Sequence, residues 1–293
     1  MSQRTLLVTG ANGHLGRRVL ELLVEKNLKD TKIVAGTRDP SKFKPLKGVE
    51  ARKVDFEDKD LDKALAGVDR LLVVSTDALD RPGRRLEQHN AAFGAAKKAG
   101  VKHVLYTSMP NPKVGSPVAV AEDHRLSEEA LAAGPFGHTI LRNNLYMHYQ
   151  VQAAAAATGL GALYTATGDG KVAYVTRDDC AAAAAGALAD GFDGRRVVDV
   201  SGPAALSGVD VAAIISELSG KKIAHVALTP SQQRDGLIKA GVPAPIAGVL
   251  VSFDEGAAAG DLAVVGTAVK DLGGKAPTDL KTLLTQTKAE WLK

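Results

Sequence analysis

The sequence predicts an α/β chain built on a doubly wound parallel sheet, with a smaller α/β lobe toward its C-terminal end. Three observations predict it. Short apolar runs alternate with amphipathic segments through the first 145 residues, the rhythm of parallel strands joined by crossover helices. One run, Leu71-Leu72-Val73-Val74, is apolar without a break, as in a parallel strand covered on both faces. The first run also leads through a glycine-rich turn, Thr9-Gly10-Ala11-Asn12-Gly13-His14-Leu15-Gly16, directly into the first amphipathic segment.

The elements follow in order. Residues 5–9 read as a strand, and 15–25 as a helix, with Leu15, Val19, Leu22 and Leu23 at helical spacing. Strands follow at 32–35 and 49–54, then an acidic-start helix at 58–66 and a strand at 70–75. A helix at 84–98 closes on Gly100. A fifth strand at 101–107, a helix at 119–132 and a sixth strand at 138–141 complete this rhythm. Beyond Arg142 it changes. Helical spacing covers 146–157, a Gly168-Asp169-Gly170-Lys171 turn precedes a short strand at 172–175, and a helix spans 178–189. Strands at 196–200 and 223–226 bracket a helix at 209–218; 230–260 is mostly helical, broken by Pro243 and Pro245; a last helix covers 279–291. The division expected is 1–145 for the sheet domain, with parts of 165–200 completing its sheet, and 146–293 for the remainder, mostly the smaller lobe.

Composition narrows the function classes. With 45% hydrophobic and 24% charged residues the chain is of ordinary globular type. The formal charge of +4 is small and the basic residues are scattered, which argues against nucleic acid as a partner. The lone cysteine, Cys180, excludes an intrachain disulfide and a cysteine metal cluster; it stands before five alanines and reads as a packed thiol. Histidine–carboxylate spacing suggests no metal site. No apolar stretch approaches the ~20 residues that span a bilayer, and the first apolar run is too short for a secretory signal. The expectation is a cytoplasmic protein acting on a small molecule, without membrane, as a homodimer by default.

The glycine turn carries the chemistry. Gly10 permits a tight turn, Gly13 lets backbone approach a diphosphate, and Gly16 lets helix and strand pack closely. The diphosphate then meets free N–H groups at the positive end of the helix. This is the cofactor turn of a Rossmann-type fold. The end of the second strand selects the dinucleotide. An NAD site places a carboxylate there for the ribose 2′-OH; this chain has Gly36-Thr37-Arg38-Asp39-Pro40. Arg38 suits a 2′-phosphate, with Lys42 adding positive potential, so the cofactor expected is NADP(H). Asp39 reads as a helix cap. Asp55 and Phe56, after the third strand, are expected near the adenine, and Ser75, Thr76 and Asp77, after the fourth, along the ribose and nicotinamide side.

At this point the chain resembles the NmrA-like atypical short-chain dehydrogenases, and within them the type 2 NAD(P)H:quinone oxidoreductases and triphenylmethane reductases. The stretches that carry the resemblance are 9–16 (TGANGHLG), 33–40 (IVAGTRDP), 71–75 (LLVVS), 95–107 (AAKKAGVKHVLYT), 121–129 (AEDHRLSEE), 139–146 (TILRNNLY), 168–171 (GDGK) and 240–246 (AGVPAPI). The resemblance implies cofactor contacts from Gly10, Ala11, Asn12, Gly13, His14 and Leu15. It adds Arg38, Ser75, Thr76 and Asp77, the loop Asn143, Asn144, Leu145, Tyr146, Met147 and His148, and Lys171. Asn12 stands where the family often has threonine; asparagine can cap a helix or accept positive φ.

Ordinary short-chain dehydrogenases use a Tyr-x-x-x-Lys pair on the helix after the fifth strand, the lysine lowering the tyrosine pKa. Here that helix has His124 near the lysine position and Val120 four residues before it. Two routes remain. A quinone or cationic dye is electrophilic enough for hydride transfer with little acid catalysis; alternatively His124, Tyr146 or Tyr149 supplies a proton. The bland reading of His124 is a helix-surface or packing residue near Glu128. Tyr106 reads as core, Ser108 as lining the substrate pocket, His14 as facing phosphate or solvent, and His89 as lying on a helix that serves a subunit interface. The substrate pocket is expected between the segment after Thr107, the 143–149 loop and residues 243–251. The functional expectation is an NADPH-dependent reductase of quinones or similar conjugated electrophiles. Its competitors are a regulatory protein that senses NADP without turnover and a carbonyl or enone reductase with another proton donor.

Overall fold

A computed structural model describes residues 3–292. The first half gives β1 (Arg4–Val8), α1 (His14–Glu25), β2 (Thr31–Thr37), β3 (Val49–Lys53), α2 (Leu61–Ala64), β4 (Arg70–Val73), α3 (Arg84–Ala99), β5 (His103–Ser108), α4 (Ala121–Ala132) and β6 (Gly137–Asn143). The second half gives α5 (His148–Leu160), β7 (Ala162–Thr165), β8 (Lys171–Val172), α6 (Arg177–Ala189), β9 (Arg195–Val200), β10 (Leu206–Ser207) and α7 (Gly208–Ser219). The chain continues through β11 (Ala224–Ala227), α8 (Pro230–Lys239), α9 (Ala244–Ala258), α10 (Ala268–Gly273), α11 (Leu280–Gln286) and α12 (Lys288–Trp291).

Seven parallel strands form the central sheet in the order β3-β2-β1-β4-β5-β6-β9. This is the Rossmann-like α/β sheet the alternating pattern predicts, with β9 at one edge. Alternate residues of each strand serve opposite faces. Leu6, Val8, Leu72, Leu105 and Leu141 pack under α1, α6 and α10. Leu7, Leu71, Val73, Val104, Tyr106 and Ile140 pack under α2, α3 and α4. The alanine run of α6 is wholly buried, which lets that helix lie close against α1 and α10. Cys180 sits in this layer, fully buried, and burial pushes its thiol well up.

The lobe has its own core, where α5, α7, α11 and α12 cover β7 and β11 through Met147, Leu163, Ile215, Leu284 and Trp291. A fourth cluster fills the seam between the halves: Met109, Val118 and Val120 meet Val172, Ala257 and Leu262. Among the described residues no helix is long and apolar enough to cross a membrane.

Several boundaries differ from the sequence reading. The helix expected at 58–66 shrinks to the single turn of α2, because Asp55 and Asp58 accept from the amides of Glu57 and Asp60 and hold the approach as turns. The expected 172–175 strand is only β8, paired antiparallel with β10, while Val175 bridges to Tyr146. Helix α5 starts two residues later than read, since Tyr146 is held extended by that bridge. The last helix is two, interrupted at Thr287 (φ −101°, ψ 16°). Elements β7, β10 and α10 are too short to show a period in sequence.

Candidate cofactor site

Between β1 and β4 the strand order reverses: β2 and β3 lie to one side, β5, β6 and β9 to the other. The carboxyl ends of the strands open a crevice at such a point, where dinucleotides bind. The glycine turn occupies it. Gly10 has φ +63°, the left-handed conformation the tight turn needs. A Cβ on Gly16 would meet Gly10 O at 2.4 Å and Thr9 O at 2.9 Å, so only glycine allows α1 to approach β1 this closely. Gly13 precedes α1 without a side-chain cap, and the first turn of α1 carries no acidic residue. The first intrahelical bond runs from Arg17 N–H to Gly13 O, so the amides of His14, Leu15 and Gly16 have no acceptor within the helix. Ala11 and Leu15 are buried beneath the turn, while Asn12, Gly13 and His14 face outward. Asn12 neither caps the helix nor adopts positive φ: its amide donates to Thr37 Oγ1 at 2.8 Å and Asp39 O at 3.4 Å, tying the turn to the end of β2.

Arg38 projects from that end, exposed and without an ion pair among the described residues. Asp39 caps the next turn by accepting from Ser41 N–H at 3.0 Å, as read from sequence, and pairs with Lys42 at 3.5 Å. No carboxylate therefore competes with Arg38 at the strand tip. After β3, Asp55 accepts from Glu57 N–H, and half-buried Phe56 walls an open cavity of about 480 Å3 lined also by Glu57, Arg84, Gln88 and Ala91. Ser75 and Thr76 are half-buried after β4, and Asp77 is exposed.

The loop after β6 leaves the sheet at the carboxyl ends of the parallel strands, the same edge as the glycine turn. Burial lowers the His148 pKa, with the Arg177 guanidinium adding to it. Tyr146 lies under Arg177, 5.4 Å from guanidinium carbon to ring centroid. Burial raises its pKa, so it stays a neutral phenol. Three side chains of the loop are committed elsewhere. Asn144 donates to Leu262 O at 3.0 Å, Met147 fills the lobe core, and Leu145 packs into the seam. Lys171 lies exposed on β8, with the Asp210 carboxylate close enough to feel its charge. Among the described residues, three buried polar atoms on the segment after β4 and from the end of β6 to the start of α5 have no partner: Thr76 Oγ1, Asn143 Oδ1 and His148 Nδ1. Free helix amides, a turn that excludes Cβ atoms, and orphaned hydrogen-bonding atoms together fit a dinucleotide.

The structure places the sequence's other candidates deeper. His124 is buried rather than at the helix surface; its Nε2 meets Arg85 at 3.0 Å and its Nδ1 meets Tyr106 Oη at 2.8 Å. Burial, with Arg85 adding to it, lowers its pKa far, so it is neutral. His89 does not face outward toward an interface. It is fully buried against Tyr106 and Ser127, and its pKa is pushed down to about 3 by burial. Tyr106 is core, as read. Ser108 is buried and donates to Glu128 at 2.6 Å, which also takes the Arg142 guanidinium. Its hydroxyl is thus engaged rather than open to a pocket. Thr9 and Thr107 were not singled out in sequence, yet their hydroxyls accept from Val74 N–H at 2.9 Å and Ser75 N–H at 2.8 Å. Their signal was a threonine at the end of each strand flanking β4.

The fold and the crevice define a dinucleotide-binding Rossmann protein. A family described as NAD(P)H-binding matches residues 10–191. Quinone oxidoreductase 2 of Escherichia coli is 35% identical over 260 residues, covering 88% of this chain and 89% of that protein. The NADPH complex of the E. coli quinone oxidoreductase superposes with a TM-score of 0.89 at 33% identity, covering 97% and 99%. The NADP(H) complex of Citrobacter sp. triphenylmethane reductase gives 0.88 at 32%, covering 96% and 99%. An NmrA-like family domain-containing oxidoreductase of Aspergillus flavus is 28% identical, covering 92% and 91%. The chain belongs to the NAD(P)H-binding family and is an NAD(P)H-dependent oxidoreductase, with an NmrA-like oxidoreductase among its relatives.

Proposed function

We propose that the protein is an NADPH-dependent reductase that passes hydride to a quinone or a similar conjugated electrophile. The observation that carries the cofactor choice is Arg38: a guanidinium at the tip of β2, free of ion pairs among the described residues, beside a carboxylate already engaged by Ser41 and Lys42. A charge-assisted pair with the 2′-phosphate is the interaction NADH cannot make. In this reading the amides of His14, Leu15 and Gly16 hold the diphosphate, Ser75, Thr76 and Asp77 line the ribose side, and the loop from Asn143 to His148 flanks the nicotinamide with Lys171 nearby. The side chains of Asn144, Leu145 and Met147 are committed elsewhere and the amide N–H of each is bonded within the protein, so in this reading the three shape the loop beside the cofactor.

The bound dihydronicotinamide supplies the hydride. The protein's part is to fix the ring and the acceptor in reach of each other. Helix α4 offers no tyrosine–lysine pair, and His124 has both ring nitrogens bonded within the protein. This favours an acceptor whose reduced form is a stabilised anion that solvent can protonate. Tyr146, held as a neutral phenol beside Asn143, is the side-chain donor this reading retains. The names of the E. coli and Citrobacter relatives support the same substrate class.

The test is NADPH oxidation against a panel of quinones, followed by the loss of reduced-nicotinamide absorbance. Turnover with quinones, and little with NADH, supports the proposal. Tight NADPH binding without turnover on any acceptor refutes it in favour of a cofactor-sensing protein.

A further inference from the structure

Strand β4 ends at Val73, and the next three residues leave the ladder while still running along the crevice. Their backbone groups are not left to solvent. Val74 N–H donates to Thr9 Oγ1 at 2.9 Å, Ser75 N–H to Thr107 Oγ1 at 2.8 Å, and Thr76 N–H to His89 Nε2 at 3.1 Å. The Thr76 carbonyl accepts from Arg85 Nη1. Both sides of Thr76 are thus gripped by α3, four residues apart on one helix face. Behind the grip, Tyr106 Oη lies 3.2 Å from His89 Nδ1 and 2.8 Å from His124 Nδ1, and Arg85 Nη2 lies 3.0 Å from His124 Nε2.

The proton positions follow from the donors at the two ends of this ring. Thr76 N–H and the Arg85 guanidinium can only donate. Each histidine therefore accepts at Nε2 and carries its proton at Nδ1; that of His124 points at the Tyr106 oxygen at 2.8 Å, and that of His89 lies between Ser127 Oγ at 2.9 Å and the Tyr106 oxygen at 3.2 Å. A protonated His89 would present N–H to N–H at Thr76, so the grip requires the neutral ring that burial enforces. Arg85, His89, His124 and Tyr106 are each at most 7% exposed, and the Asp123 carboxylate lies 3.5 Å from Arg85 Nε. One polar atom of the segment is left over, Thr76 Oγ1.

We infer that Arg85 and His89 are positioning residues that clamp the Thr76 peptide, with His124 and Tyr106 as their brace, and so set the Ser75–Asp77 segment against the nicotinamide side of the bound cofactor. The inference rests on the proposed binding of NADPH in the crevice but not on the acceptor being a quinone. It gives His124 a role without placing it at the reacting atoms. It also accounts for a costly choice: Arg85, His89, His124 and Tyr106 bury their polar groups beside the apolar cluster under α3 and α4.

The test compares His89→Leu, which removes the acceptor, with His89→Gln, which returns one. NADPH titrations are read by the fluorescence of the bound dihydronicotinamide, and steady-state rates are measured with a quinone, each on protein shown folded by its melting curve. The clamp predicts that His89→Leu shifts the bound-state emission toward that of free NADPH. It also predicts a fall of about tenfold or more in kcat with quinone KM little changed, and recovery of most of both losses by His89→Gln. Should His89→Leu not fold, Arg85→Gln, whose shorter side chain has one nitrogen in place of the two that reach Thr76 O and His124 Nε2, is read the same way. Wild-type emission and kcat in the folded leucine variant would overturn the clamp, as would equal damage from leucine and glutamine. The emission needs no turnover. A wild-type protein that binds NADPH but reduces no quinone removes the substrate assignment and leaves the clamp to be decided by emission alone. A wild-type protein that binds no NADPH removes both.

Discussion

Substituting Gly16 by alanine tests the most local claim, that the turn and α1 are packed to the limit of backbone contact. Gly16 is buried, and a Cβ there would lie 2.4 Å from Gly10 O, 2.8 Å from Gly10 C and 2.9 Å from Thr9 O. Reaching an ordinary contact of 3.4 Å needs a displacement of about 1 Å between the helix and the turn. The obstacles are backbone atoms, so no side chain can yield. Overpacking of this kind costs about 1–3 kcal/mol, offset by ~1 kcal/mol of helix propensity gained over glycine. The expected result is a melting temperature lower by a few degrees, at ~2–4 °C per kcal/mol for a chain of this size class. The effect on the cofactor is larger. Amides that move by about 1 Å lose alignment with the diphosphate, and one charge-assisted hydrogen bond is worth roughly 1.5–3 kcal/mol, a Kd increase of at least about tenfold. Calorimetric titration with NADPH and a thermal melt read the two effects separately. Gly159→Ala is the control, since a Cβ there meets nothing within 4 Å and its backbone is helical; stability and Kd should be unchanged or slightly improved. Gly13→Ala should split the two readouts. Its Cβ meets only Gly10 O at 3.3 Å, so the fold tolerates it while the diphosphate does not. Wild-type Kd and melting temperature in Gly16→Ala would refute the reasoning.

Three further outcomes are expected. Arg38→Gln should weaken NADPH by about 10- to 100-fold, from the loss of a charge-assisted pair, while NADH affinity stays within twofold by the same titration. Burial pushes His89 and His103 each down to about 3, against roughly 6.5 when unfolded. Between those values the unfolded chain holds more protons, so stability is complete above about pH 6.5 and is lost as pH falls toward about 3, by ~1.4 kcal/mol per pH unit for each histidine. Melting curves across that window should show the slope, and His103→Gln should reduce it. Asp261 is fully buried and receives Lys113, Asn111 Nδ2 at 3.0 Å and Ser116 Oγ at 3.0 Å, tying the loop after β5 to the segment after α9. Asp261→Asn should cost about 1–3 kcal/mol in denaturant unfolding, and an unchanged midpoint would show that the tie is idle.

What the sequence determined by itself is local. The turn from Thr9 to Gly16, the apolar run at 71–74, the arginine where a carboxylate is usual, and the cap made by Asp39 each depend on residues a few positions apart. Backbone conformation and strand periodicity are written at that range. What only the tertiary structure decided is which polar side chains face the crevice and which are consumed inside. Asn144 reads as a cofactor contact until its partner, Leu262, arrives from 118 residues away. Ser108 reads as pocket lining until α4 brings Glu128 to its hydroxyl, and His89 reads as an interface residue until β5 brings Tyr106 beneath it. A hydrogen bond is satisfied by whichever group packing delivers, and packing joins segments whose separation along the chain leaves no periodic trace.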